Sequence, residues 1–205
     1  NLQINQEGNG GLAITQWNTS NARTSSPKIW LAKNGGATVG THASIASGEV
    51  LGSIFFSGSD GSTFVNGASI HAIADNSVGS NDMPGALIFS TTPDGDDDVD
   101  ERMRITSLGR VGIGITAPEE KLHLTDGKLK IDKSSGNAGN DVEIHFDRRH
   151  DGADARIISK VGASGAYATE LHFVTQNATG PTENTVMVLD DDGNVGIGED
   201  SPDTR

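Results

Sequence analysis

Cysteine is absent from the 205 residues, which excludes disulfide staples and thiolate metal sites. The absence leaves the compartment open, because a chain stabilised by assembly needs no disulfides in either. Large aromatic side chains are scarce: six Phe, two Trp and one Tyr. A globular monomer of this length normally buries more of them, since aromatics supply much of the area that offsets chain entropy. Basic side chains are also few. The net charge is −13, spread as −6 over residues 1–121 (seven basic, thirteen acidic) and −7 over residues 122–205 (eight basic, fifteen acidic). Without a basic patch, nucleic acid lacks its electrostatic driving term and an anionic membrane surface is repelled. No apolar run reaches the length of a membrane span and no signal peptide is visible, so neither nucleic-acid binding nor membrane insertion is expected. The sequence begins at Asn1 without Met and stops at Ser201-Pro202-Asp203-Thr204-Arg205, which reads as a fragment.

What is present is small, β-branched and punctuated. Val, Ile, Ala and Thr supply the apolar inventory, and 27 glycines with many Asn, Ser and Asp residues break the chain at short intervals, as turn-rich all-β chains require. Val142, Ile144 and Phe146 alternate with Glu143, His145 and Asp147, and Leu171 and Phe173 with Glu170 and His172. Period two is the mark of a half-buried strand. Lys128-Leu129-Lys130-Ile131-Asp132 shows the same pattern. Turn signals fall at Asp60-Gly61, Pro84-Gly85, Asp94-Gly95, Asp126-Gly127, Asp151-Gly152 and Asp192-Gly193. No segment has a convincing 3.6-residue period, so the fold class is all-β with almost no helix.

The chain repeats itself. Met103-Arg104-Ile105 and Gly109-Arg110-Val111-Gly112-Ile113-Gly114 match Met187-Val188-Leu189 and Gly193-Asn194-Val195-Gly196-Ile197-Gly198 at an offset of 84, which also carries Pro118 onto Pro202. Upstream it maps Leu87, Phe89 and Thr91 onto Leu171, Phe173 and Thr175. With a short gap, Ile54-Phe55-Phe56 before Asp60-Gly61 resembles Ile144-His145-Phe146 before Asp151-Gly152. Two tandem repeats of short antiparallel strands account for this, residues 1–121 with an N-terminal extension and residues 122–205, the boundary lying near 119–127.

Val111 and Ile113 point one way while Gly112 and Gly114 leave the other face bare, and Val195, Gly196, Ile197 and Gly198 repeat this. Glycine inside a strand costs stability unless another backbone comes close. These eight residues are therefore the candidates for packing between chains or sheets near a shared axis. A bulged strand inside a single domain is the plainer alternative.

At these residues the sequence resembles bacteriophage tail fibres. The string Glu101-Arg102-Met103-Arg104-Ile105-Thr106, then Gly109-Arg110-Val111-Gly112-Ile113-Gly114, Pro118 and Lys121-Leu122-His123-Leu124, is similar to a fibre motif of the form ERMRI…G-x-VGIGT…P…KLHV. Leu51-Gly52-Ser53-Ile54, Gly58-Ser59-Asp60-Gly61-Ser62-Thr63-Phe64, Gly67-Ala68-Ser69-Ile70 and the stretch 81–92 match the same family, so the likeness covers most of residues 50–124. The second copy is a degenerate version. Ile115 stands where Thr is usual, and Glu199-Asp200 replaces a small polar pair. The resemblance implies a fibrous, intertwined or stacked, homotrimeric β-structure on the virion. It would form a rigid tail-fibre appendage that supports host attachment, with other tail or fibre proteins and a host surface glycan or protein receptor as partners. In relatives such a region often precedes an endosialidase-type self-cleaving intramolecular chaperone, which is not visible in this sequence.

Other sites weigh less. The glycines of 109–114 lack the helix that a dinucleotide fingerprint needs. Asp94, Asp96 and Asp98 are weak calcium candidates, as are Asp190, Asp191 and Asp192; counted from Asp94 the sixth and twelfth positions are Val99 and Ile105, so no EF-hand is present. A solvated hairpin tip is the default there. His145 and His172 fall on polar strand faces and are expected exposed, and His145 with His150 has no helical context to bring the rings together. No Gly-x-Ser-x-Gly elbow is seated between strand and helix. Trp17, Trp30 and Tyr167 are too scattered for a sugar platform, and Trp30 is expected as a packing anchor rather than a receptor contact. No cofactor, metal or enzymatic activity is expected. A capsule depolymerase segment and a carbohydrate-binding or capsid decoration fibre are the alternative functions.

Overall fold

The structure, a computed structural model, describes residues 27–132, 141–147, 154–161, 169–176 and 183–202. The chain divides into two compact units, Asn1–Lys128 and Leu129–Arg205. Among the described residues every regular element is a strand. Pairing is antiparallel except at one place, so the all-β fold class holds.

The first unit is a single six-stranded sheet in sequence order: β1 (Val50–Ser59), β2 (Phe64–Ala74), β3 (Gly85–Thr91), β4 (Asp100–Ile105), β5 (Val111–Ile113) and β6 (Leu122–Leu124). β6 runs parallel to β5, a pairing the turn signals did not announce. It also places residues 122–128 with the first unit, although the sequence boundary assigned them to the second repeat. The second unit is a five-stranded meander: β7 (Val142–Asp147), β8 (Asp154–Val161), β9 (Thr169–Gln176), β10 (Glu183–Leu189) and β11 (Val195–Ile197).

The two sheets share their register. In the first, Ile54, Ile70, Phe89, Met103 and Ile113 lie side by side across β1–β5; in the second, Ile144, Ile157, Phe173, Met187 and Ile197 do so across β7–β11. The neighbouring row reads Gly52, Ala72, Leu87, Ile105, Val111 and Leu122, against Val142, Ser159, Leu171, Leu189 and Val195. A register shift falls at Arg102 in β4 and at Val186 in β10, 84 residues apart. Such a bulge adds one residue to one strand and increases local twist.

Identical turn geometry ends each β4–β5 and β10–β11 pair. The Thr106 N–H donates to the Arg110 carbonyl at 3.0 Å and the Gly109 N–H to the Thr106 carbonyl at 2.9 Å; Asp190, Asn194 and Gly193 repeat this at 3.1 and 3.2 Å. Gly109 and Gly193 have φ of 68° and 80°, the left-handed residue that closes a three-residue hairpin loop. Asp60-Gly61 and Asp94-Gly95 also turn as their residues require, whereas Asp151-Gly152 lies outside the described residues.

Two expectations fail here. Pro84-Gly85 does not turn, because Gly85 opens β3. Lys128-Leu129-Lys130-Ile131-Asp132 alternates yet forms no strand, because alternation supplies no neighbour to pair with; Leu129 and Ile131 stay exposed. The bare glycine faces at Gly112 and Gly196 are approached by their own chain. A Cβ on Gly112 would overlap the Ile115 carbonyl oxygen and lie 3.4 Å from Pro118 Cγ; on Gly196 it would overlap the Glu199 carbonyl oxygen and lie 3.4 Å from Pro202 Cβ. Arg110 closes the first of these clasps by donating from Nη1 to the Pro118 carbonyl at 3.0 Å, and Asn194 closes the second by donating from Nδ2 to the Pro202 carbonyl at 3.3 Å.

Gly112→Ala and Gly196→Ala should each destabilise their sheet by about 1–3 kcal/mol through overpacking. Gly58→Ala, whose added Cβ meets open space, serves as the control. Chemical denaturation checks this, and parity of either variant with the control would show that the clasp is not what requires glycine.

Candidate assembly faces

Among the described residues each sheet is one layer thick, so its two faces can be compared directly. Among the described residues the strands contact only their hydrogen-bonded neighbours. One face of the first sheet carries Ile54, Phe56, Ala68, Ile70, Leu87, Phe89, Met103, Ile105, Val111, Ile113, Leu122 and Leu124, without an ionisable group in the two central rows. Ile54, Phe56, Leu87, Ile105, Ile113 and Leu122 are exposed, and so are Ile144, Phe146, Leu171 and Ile197 on the matching face of the second sheet. A shallow apolar depression of about 270 Å³ runs past Phe146, Ala155, Ile157, Phe173 and Val186 on that second sheet. Contiguous apolar patches of this kind mark protein–protein interfaces on soluble proteins.

The candidate packing residues divide accordingly. Val111, Ile113, Val195 and Ile197 lie on the apolar faces, with Ile113 40% and Ile197 77% exposed. Gly112 and Gly196 belong to the opposite faces and are buried by the clasps, while Gly114 and Gly198 serve the backbone, at φ of 73° and 69°. Sequence reasoning named only the β5 and β11 members of these faces. The residues it missed as face components are Ile70, Met103, Ile157 and Met187, which register places in the same rows.

Charge collects on the opposite faces. Arg104 donates through Nε and Nη2 to both carboxylate oxygens of Glu101 at 2.6 Å, which holds the guanidinium pKa above its ordinary value. In the second sheet Glu143 Oε2 lies 2.7 Å from His145 Nε2 and 3.2 Å from Arg156 Nη1. His172 departs from expectation: it lies on the polar face but is only 6% exposed, flanked across the strands by Ile158 and Val188. Its Nε2 is 2.8 Å from Glu170 Oε2, and its Nδ1 meets no hydrogen-bond partner. His145 is exposed as expected, and His150 lies outside the described residues.

Asp94, Asp96 and Asp98 do not converge on a point. Asp96 Oδ1 instead accepts the N–H groups of Asp97 at 2.8 Å and Asp98 at 3.3 Å, and among the described residues no three acidic or histidine side chains are placed to hold a metal ion. Asp190 is likewise committed, to the Asn194 N–H at 2.7 Å and Nδ2 at 2.9 Å. Trp30 is 85% exposed and anchors nothing among the described residues; Trp17 and Tyr167 lie outside them. A wide polar groove of about 660 Å³ passes Asn76, Asp82, Met83, Ser107 and Leu108 in the first unit. Among the described residues no helix is long and apolar enough to cross a membrane.

Three turn carboxylates are held below their ordinary pKa. Asp60 accepts the Thr63 N–H at 2.8 Å and the Ser62 N–H at 2.7 Å. Asp75 accepts the Ser107 N–H at 2.7 Å, tying the end of β2 to the β4–β5 turn. At Asp190 desolvation pushes upward, and the hydrogen bonds from Asn194 outweigh it. A lowered folded pKa means that the unfolded chain binds protons more readily, so this stability is present above the unfolded carboxylate value and lost as pH falls through the folded one. The thermal midpoint should therefore drop steeply below about pH 4. Asp75→Asn keeps an acceptor for the Ser107 amide but cannot ionise, and it should flatten that acid slope; an unchanged slope in thermal melts would refute the assignment.

No protein-family model matches the sequence, and no curated protein matches it. Solved structures do. The chain is similar to the carboxy-terminal domain of the bacteriophage T5 L-shaped tail fibre with its intramolecular chaperone domain, at 14% identity and a TM-score of 0.47; 95% of this chain is covered, and it spans 64% of that one. A second structure, of the carboxy-terminal domain of the same bacteriophage T5 L-shaped tail fibre, is 13% identical with a TM-score of 0.39, covering 93% of each chain.

Proposed function

We propose that this chain is a structural, non-enzymatic segment of a bacteriophage tail fibre, assembled as a homotrimer in which copies bury their apolar sheet faces against one another. In this reading it belongs to the virion tail fibre, forms part of a rigid appendage joined to other tail or fibre proteins, and supports attachment to a host surface glycan or protein receptor. The observation that carries it is the pair of exposed apolar faces, one in each unit and with matching rows. The motif likeness from Glu101 to Leu124 supports the fibre context independently.

Magnitudes favour association. Fully covering an exposed Leu, Ile or Phe is worth about 1.5–3 kcal/mol. Six such residues in the first sheet and four in the second, each about half exposed, give roughly 10 kcal/mol per chain before the half-buried members of the rows are added. Rigid-body freedom costs roughly 4–15 kcal/mol per association step. The apolar term is thus of the size required, and the half-buried residues add to it.

Light scattering coupled to size exclusion should give about three times the 21.3 kDa chain mass. Ile113→Asp combined with Ile197→Asp should shift the protein towards 21.3 kDa while the far-ultraviolet strand signal persists. Lys160→Gln, on the opposite face, should leave the mass unchanged. A well-folded parent that elutes as a monomer would overturn the trimer, and with it the role assigned to the apolar faces.

A further inference from the structure

The two units repeat one register, so equivalent positions can be compared pair by pair, and their first hairpins differ in charge. Across residues 50–74, which form β1, its turn and β2, the only Asp, Glu, Lys or Arg is Asp60, in a chain that is 21% charged overall. The counterpart, residues 142–161, holds eight such residues in 20. Even Asp60 is tied back into its own turn, where its carboxylate accepts the Ser62 and Thr63 N–H groups at 2.7 and 2.8 Å.

Apolar side chains stand on both sides of the charge-poor hairpin. Ile54 and Phe56 belong to the apolar face of the sheet. Phe55 lies on the opposite face, and so does Phe64, whose partner Ser59 shares the side of Phe55 along β1. Ile54, Phe55 and Phe56 are 47%, 52% and 55% exposed, and Phe64 is 79% exposed. In the second unit His145 takes the position of Phe55, because the row Phe55, Ser69, Ser90 and Glu101 matches His145, Arg156, Val174 and Thr185. The first hairpin also runs past the rest of its sheet. β3 pairs with β2 only from Ala68 to Ala74, so Phe64, Val65 and Asn66 have β1 as their one strand partner among the described residues. A two-stranded ribbon alone is marginally stable in water. Depletion of charge with enrichment of aromatics is the composition of interface cores.

We propose that in the assembly this hairpin is inserted between two neighbouring copies of the chain, one covering Ile54 and Phe56 and the other covering Phe55 and Phe64. The inference rests on the homotrimer reading and extends it, since burial of the apolar sheet faces alone leaves Phe55 and Phe64 in water. A closed ring of three gives every copy two neighbours that meet different surfaces, which is the number of apolar sides the hairpin presents. The charge pattern points to the occupant. A partner of opposite sign would gain from the acidic surface of this chain, whereas a second copy carrying −13 is repelled by it and comes close most readily where charge is missing. Ile54 also continues the row through Ile70, Phe89 and Met103, so the hairpin and the apolar face form one surface.

The test compares Phe55→Lys with His145→Lys in the full chain. Both place a cation at the same register position on the opposite face, and both lower the net negative charge, so weaker association cannot come from added repulsion. Phe55→Lys should raise the concentration at which the trimer dissociates by about tenfold or more, read by light scattering on dilution, while His145→Lys leaves it unchanged. Equal behaviour of the two variants, whether both dissociate or neither does, would overturn the proposal. Should Phe55→Lys lose its far-ultraviolet strand signal, a second readout decides. Benzoylphenylalanine in place of Phe64, irradiated in assemblies formed from isotope-labelled and unlabelled copies, should join heavy chains to light ones. Crosslinks confined to single chains would overturn the proposal, because the hairpin would then be covered by its own chain. A monomeric parent would remove the homotrimer reading as well, whereas a trimeric parent in which these readouts fail would remove this inference alone.

Discussion

A one-layer sheet cannot bury both of its faces, and the rest of this structure follows from that constraint. Among the described residues the buried apolar ones are few and mostly modest in size: Ile45, Ala74, Ala86, Ile88, Ile158, Val174 and Val188. The larger side chains, among them Phe56, Leu87, Phe89, Met103, Ile144 and Phe173, stand in rows on the other face, exposed or half-buried. In an ordinary sandwich those rows would meet a second sheet about 10 Å away. Here each row is continuous across five strands and is repeated in the second unit with the same bulge, and among the described residues no second sheet meets either.

The clasp shows how such a sheet is finished without a core. A hairpin with a left-handed glycine delivers a three-residue strand, and the chain then folds back over that strand's central glycine and is held at a proline carbonyl. The chemistry differs between the copies while the geometry does not. Thr106 Oγ1 accepts the Arg110 N–H at 3.2 Å where Asp190 Oδ1 accepts the Asn194 N–H at 2.7 Å, and a guanidinium in one clasp does the work of a carboxamide in the other. What is retained is the pair of groups that no other residue can imitate: a glycine without Cβ and a proline that ends the strand.

Much of this was legible in the sequence because period and spacing are local properties. Alternation at Val142, Ile144 and Phe146 and the offset of 84 led to strands whose registers agree. The failures share a cause: they concern what fills the space opposite a residue. A bare glycine face at Gly112 says that something approaches, and only the fold reveals that it is Ile115 of the same chain. His172 alternates with apolar residues and so reads as exposed, but its burial is set by Ile158 and Val188, which lie 14 and 16 residues away in sequence. Leu129 and Ile131 alternate without a partner strand, and β6 has a partner without any local turn to announce it.

The distribution of charge supplies an argument about orientation. The two central rows of each apolar face hold no ionisable side chain, while Glu101, Arg104, Glu143, Arg156, Lys160 and Glu170 lie on the opposite faces. The Glu101–Arg104 and Glu143–Arg156 ion pairs are already largely withdrawn from water within one chain, the Arg104 and Arg156 side chains being 13% and 10% exposed. A net charge of −13 sets up repulsion between copies, and it acts most strongly wherever charged faces meet. The apolar faces escape that cost. Association through them is therefore favoured by the exposed side chains it covers and by the charge it keeps apart.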